Sequence, residues 1–206
     1  MAVHEVQLLD LYDRTDGILQ ESTPLDEVFV SLLVKKDLPN LNITRVCEVK
    51  NSFLKYMYDL TKEEYKSRYG RVTETRLFHA TSEFNVNPII QNNLDWRRVS
   101  RSKFGMGVSF SNDADYANFF SNSSNGSGRA FIVADVLISN QHCGSSALTI
   151  PLSNFDTTTG TRNGQTKVFV KYNDNEFLPK YVVFYNAPEK TSSKYFIPRR
   201  GRRHFW

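Results

Sequence analysis

Apolar and polar residues alternate in two periods along this chain. Ile43–Val49 (ITRVCEV) is rich in β-branched residues and predicts a strand, and the Lys35–Asn40 stretch before it predicts a turn. Phe53–Tyr69 has helical spacing. Asn51 or Ser52 can cap its start, Gly70 can end it, and Phe53, Met57, Leu60 and Tyr65 are expected to face the core. Leu77–His79 closes another strand. Pro88 suits the first turn of a short helix that Asn87 caps and that runs to Leu94. Val108–Ser111 predicts a strand, followed by a helix to Phe120 capped by Asn112 or Asp113. Residues 121–128 (SNSSNGSG) predict a flexible loop, and Phe131–Ile138 a buried strand. Residues 151–166 are expected to be mostly turn and loop. Val168–Tyr172 and Tyr181–Tyr185 predict the last strands. In residues 1–36 the apolar cluster Val28–Val30 and Leu32–Val34 fits either a strand or a short helix.

Short strands with few helices, not interleaved by regular crossovers, predict an α+β fold rather than a parallel doubly wound sheet. The expected organisation is an N-terminal segment over 1–36, one domain over 37–190 and a basic tail over 191–206.

Composition narrows the setting. With 206 residues, 40% hydrophobic and 23% charged, the chain reads as one globular domain. The net charge is +4, and Arg199, Arg200, Arg202 and Arg203 account for all of it, so the body is balanced. That tail is a candidate contact for nucleic acid. Cys47 and Cys143 lack any CxxC spacing and suit a reducing compartment. The first residues lack the basic and apolar regions of a secretory signal, and Val28–Val34 is too short to cross a bilayer. Nucleus or cytoplasm, without membrane insertion, is the expectation, so the sequons at Asn42, Asn122 and Asn125 are expected to stay unmodified.

Some local patterns carry little chemistry. Gly107–Ser111 approaches a nucleophile elbow but lacks its final glycine, and Gly105-x-Gly107 is too short for a dinucleotide fingerprint. His142-Cys143 has no companion ligands, so no metal is expected.

Five segments in order resemble the catalytic domain of the poly(ADP-ribose) polymerase family, most closely its mono-ADP-ribosyltransferase branch, over residues 41–187. They are ITRVCEVKNSFLKYMY, RLFHATS, IIQNNLDWR, FGMGVSFSNDADYANFF and KVFVKYNDNEFLPKYVVFY. The resemblance implies an ADP-ribosyltransferase-like split antiparallel β architecture with a few flanking helices. It implies NAD as substrate in a cleft between two small sheets, no metal, and a protein or nucleic-acid acceptor.

By the same resemblance, His79 bonds a ribose hydroxyl, the backbone at Ala80 grips the nicotinamide carboxamide, and Thr81 and Gly107 complete the two binding motifs. Ser109 stands where the family has a tyrosine that stacks on nicotinamide, and Ala117 where it has a serine that bonds the carboxamide. Phe120 keeps the second aromatic wall. The lost stacking and hydrogen bond together amount to about 2–3 kcal/mol, on the order of a hundredfold in affinity. Val168 stands where polymer-forming members carry glutamate, so single-unit transfer is expected. His79, Ser109 and Val168 are the catalytic candidates. Met106 replaces a loop lysine, and Arg97, Arg98 and Arg101 could meet a diphosphate. Two functions follow: a mono-ADP-ribosyltransferase with a divergent pocket, or an inactive binding module on the same fold.

Overall fold

The computed structural model describes residues 18–99, 103–119 and 128–186. Phe120, Arg101, most of the 121–128 loop and the arginine-rich tail lie outside the described residues.

The strands are β1 (Ile18–Glu21), β2 (Ile43–Lys50), β3 (Thr73–Ser82), β4 (Val108–Ser111), β5 (Gly128–Ile138), β6 (Gln141–Cys143), β7 (Thr157–Arg162), β8 (Gln165–Lys171) and β9 (Phe177–Asn186). Four helices accompany them: α1 (Pro24–Lys35), α2 (Ser52–Tyr69), α3 (Val86–Asn92) and α4 (Ala114–Phe119). The strands form one sheet in the order β1-β2-β9-β5-β3-β4-β8-β7-β6, antiparallel except for the β6–β7 pair. The α+β class and the split antiparallel architecture are both present. β3 pairs with β5 from Thr73↔Ile138 to Ser82↔Arg129, whereas it meets β4 at the single pair Phe78↔Ser111. The sheet therefore consists of two panels, β1-β2-β9-β5-β3 and β4-β8-β7-β6, that diverge on either side of that pair.

Strand alternation divides the core. One face of the first panel carries Ile132, Val182 and Phe184 and is covered by Val86, Ile89 and Ile90 of α3. The other carries Phe131, Val133, Val183 and Tyr185 and is covered by Val30 and Val34 of α1. The apolar cluster near the N-terminus is thus a helix. The Thr23 hydroxyl accepts from the Asp26 N–H, Pro24 opens the first turn, and the i, i+4 pair Val30 and Val34 is fully buried.

Helix α2 starts and stops as the sequence predicts. Asn51 Oδ1 accepts from the Leu54 N–H at 2.9 Å, and Gly70 ends the helix at φ 71°. Its buried face differs from the expected one. Phe53 and Leu60 are 48% and 65% exposed, Tyr65 is buried as expected, and Leu54 and Tyr58 are buried with it. Tyrosine wins because its ring fills the core while its hydroxyl reaches a carboxylate: Tyr58 donates to Glu74 at 3.0 Å, and Tyr65 donates to Glu176.

Two further expectations are corrected. Helix α3 begins at Val86 and ends at Asn92, so Asn87 lies inside it, Pro88 is its third residue and Leu94 lies beyond it. Proline is tolerated there because the N–H groups of a first turn have no partner within the helix. The 151–166 segment contains β7 and the start of β8, joined at Asn163-Gly164 with φ 52° and 75°. Two consecutive positive φ values make the tight turn whose twist matches a hairpin, and the threonines of β7 are β-branched.

A buried charge cluster ties the panels together. Lys171 of β8 is fully buried, with Nζ 2.8 Å from Asp156 Oδ2, 2.9 Å from Thr157 Oγ1 and 3.1 Å from the Tyr65 hydroxyl. Asp156 also accepts backbone N–H groups from Ser139 and Asn140, and Glu176 accepts from those of Tyr172 and Asn173.

Candidate active site

The divergence of β3 from β4 opens a cleft of about 1040 Å³. Seven of the sequence-derived site residues line it: His79, Ala80 and Thr81 from β3, Gly107 and Ser109 at β4, Ala117 from α4 and Val168 from β8. The structure brings together residues up to 89 positions apart in sequence because β4 and β8 pair directly, with Ser109 opposite Val170 and Ser111 opposite Val168. Thr81 is buried, and its hydroxyl accepts from Asn85 Nδ2 at 3.0 Å.

The Gly-x-Gly motif is a steric device. A Cβ on Gly107 would lie 2.2 Å from the Lys171 carbonyl oxygen, and one on Gly105, at φ 129°, would lie 1.8 Å from the Tyr172 hydroxyl. Both glycines let the chain press against β8 and so set the depth of the cleft.

His79 is the polar centre. Its Nδ1 lies 2.9 Å from the Ser109 carbonyl oxygen. A carbonyl only accepts, so Nδ1 carries the proton and Nε2 of the neutral ring is an acceptor. Burial holds the His79 imidazole below its ordinary pKa, against the opposing pull of the Ser109 hydrogen bond. The ring is therefore neutral at pH 7.

Cations gather along the cleft wall. Arg97 donates to Asp174 at 3.1 Å and pairs with Asp95 through Nε at 2.8 Å, so it is committed to carboxylates. Arg98 is 82% exposed and stands 3.6 Å from Asp95. Lys103 lies 5.1 Å from the Phe104 ring centroid. Among the described lining residues Asp95 is the one carboxylate, and it also caps the Trp96–Arg98 turn. Among the described lining residues there is therefore no pair of acids for hydrolytic chemistry. The cleft offers a neutral acceptor at its centre, small side chains at Ser109 and Ala117, and an apolar floor at Val168.

His142 serves structure. Nδ1 donates to the Cys143 carbonyl at 2.9 Å and Nε2 accepts from the Leu152 N–H at 3.2 Å. Among the described residues no group of three or more His, Cys, Asp or Glu is placed to hold a metal ion.

The sequence reading missed Tyr116, Lys103 and Asn93, all of which line the cleft. Asn93, at φ 69°, donates to the Asp174 and Phe177 carbonyls and fixes that edge. Tyr116 had a signal in sequence: its N–H is the one that Asp113 caps, at 3.0 Å, which places it in the first turn of α4.

The Poly(ADP-ribose) polymerase catalytic domain model matches residues 30–160, more than half of the chain. The protein mono-ADP-ribosyltransferase PARP12 of Homo sapiens is 28% identical over 171 residues, covering 78% of this chain and 24% of its own length. PARP12 of Mus musculus is 27% identical over 169 residues, covering 77% and 24%, and the mono-ADP-ribosyltransferase PARP11 of Mus musculus is 30% identical over 117 residues, covering 55% and 35%. The chain thus spans about a quarter of the length of the PARP12 relatives. By the matched model, which covers more than half of the chain, the chain belongs to the poly(ADP-ribose) polymerase catalytic-domain family.

Proposed function

We propose that the domain binds NAD in the β3–β4 cleft, releases nicotinamide and transfers one ADP-ribose unit to a protein acceptor. The observation that carries this reading is His79: a neutral imidazole whose Nδ1–H is held by the Ser109 carbonyl, leaving Nε2 to accept a ribose hydroxyl. The Ala80 backbone is the partner for the carboxamide. Arg98 and Lys103 supply the positive charge nearest the diphosphate.

In the reaction the bond between the ribose anomeric carbon and the nicotinamide nitrogen breaks, and its electron pair leaves with nicotinamide. The acceptor nucleophile bonds to that carbon and gives its proton to solvent. Rate enhancement comes from holding donor and acceptor in line, since a well-positioned pair gains on the order of 7–11 kcal/mol over free encounter. Val168 offers no carboxylate to activate a ribose hydroxyl as the next acceptor, which favours single-unit transfer. With Ser109 and Ala117 in place of a ring and a hydroxyl, NAD affinity is expected to be weak.

Titrating NAD into the millimolar range should raise the melting temperature, because a ligand that binds the native state stabilises it. Label from NAD should then appear on the protein or an added acceptor and vanish in His79→Ala. Absence of a shift would leave the inactive binding module as the function.

A further inference from the structure

We infer that the outward face of α1 is a docking seam for a second copy of this chain, with two α1 helices packed antiparallel about a two-fold axis. The inference goes beyond the NAD reading and does not depend on it.

Helix α1 is apolar on two sides. Val30 and Val34 are fully buried against the sheet, and Leu33 packs with them. On the opposite side Leu25, Val28, Phe29 and Leu32 are between 45% and 80% exposed. Their spacing, i, i+3, i+4 and i+7, sets them in one stripe along the helix. A surface helix carries polar residues on its outer side, whereas one that is apolar on both sides is a helix covered on both sides. Helix α2 differs: its exposed Phe53, Tyr56 and Leu60 are interleaved with the ion pairs Lys55–Asp59, Lys66–Glu63 and Arg68–Glu64.

Charge and symmetry select the occupant. Glu21 and Glu27 stand at the N-terminal end of the stripe, Lys35 and Lys36 at its C-terminal end, and all four are exposed. Among the described residues none of the four has an ion-pair partner. A two-fold axis between Val28 and Phe29 lays Leu25 of one copy against Leu32 of the other. It also carries the lysine end of each copy over the acidic end of the other, and sets the two helix dipoles in opposite directions. The stripe reads alike from either end, leucine at both termini with Val28 and Phe29 between, as a self-complementary contact requires. Helix α1 has 12 residues, so its face is smaller than the roughly 800 Å² per partner of a standard interface, and the dimer is one that dissociates in the micromolar range. Among the described residues lining the cleft none belongs to α1, so both clefts stay open in such a dimer.

Acid at the start and base at the end of a helix also suit its own dipole, and the test separates the two effects. Sedimentation velocity of the full chain across the micromolar range should show a monomer–dimer equilibrium. Leu32→Lys sets like charges into the seam and should weaken it by on the order of a hundredfold. Lys35→Glu with Lys36→Glu, and separately Glu21→Lys with Glu27→Lys, should each weaken self-association about tenfold. An equimolar mixture of these two variants should form a heterodimer as tight as the unsubstituted dimer, because every facing pair is again opposite in sign. A dipole effect within one helix is the same in the mixture as in each variant alone, so a mixture that does not recover overturns the antiparallel seam. A chain that stays monomeric at every concentration overturns it too, and a lower melting temperature of Leu32→Lys would then show the face covered within one chain. A dimer that Leu32→Lys leaves intact forms through another face and equally overturns the assignment.

Discussion

At His79 a single backbone hydrogen bond fixes the tautomer, and burial fixes the charge. Both have a consequence for stability. The folded-state pKa lies below the ordinary imidazole value, so as pH falls the unfolded chain takes up the proton first. The stabilising contribution is complete above about pH 6.5, the unperturbed value, and is lost as pH falls from there through the folded value. Urea midpoints at pH 7 and pH 5 should therefore differ more in the unsubstituted protein than in His79→Gln. Equal differences would mean that the His79 pKa is not held below its ordinary value. A strand at Leu77–His79 was legible in the sequence, and so were the glycines beside Ser109, but the strand does not close at His79: its pairing with β5 carries it on to Ser82. That Gly107 is pressed against the Lys171 carbonyl was not legible, because nothing in the sequence says that β4 and β8 are neighbours.

Among the elements, those with local punctuation were read well and those defined by partners were not. Helix α2 has its asparagine cap and its left-handed glycine end, both of which act within one turn. Asn51 also donates from Nδ2 to the Ile90 carbonyl at 2.9 Å, so it ties α2 to α3. Asn51→Ala should lower the unfolding free energy by about 1 kcal/mol or somewhat more, the ordinary worth of a cap, as measured by chemical denaturation. On α2, Tyr65 was legible as a core residue and Tyr58 was not, because apolarity ranks Phe53 and Leu60 above it, whereas Glu74 rewards a ring with a hydroxyl. The β7–β8 hairpin had a signal that composition masked: Asn163-Gly164, with the β-branched Thr161 and Thr166 two residues to either side of the pair. Gly164→Val should destabilise by roughly 1 kcal/mol or more, since a β-branched residue resists positive φ. An unchanged melting temperature would count against that turn.

For the whole molecule, the site depends on two panels that pair at one position and are sewn together elsewhere. Lys171, Asp156, Glu176 and Tyr65 bring β8, the entry to β7, the entry to β9 and α2 to one buried point. Removing one partner leaves buried charge uncompensated, so Lys171→Met should cost about 3–5 kcal/mol in chemical denaturation. A loss under about 1 kcal/mol would show that the cluster is not buried as described. By itself the sequence determined the α+β class, most of the strands, the capped helix α2 and seven cleft residues carried by family motifs, because turn chemistry, capping and alternation act over a few residues. Only the tertiary structure decided that the sheet splits at Phe78↔Ser111, that Tyr116 packs with Val168 and Val170, and that a lysine is fully buried among carboxylates. Those facts depend on which distant strands become neighbours, and a choice of partner is a property of the packed chain rather than of any short segment.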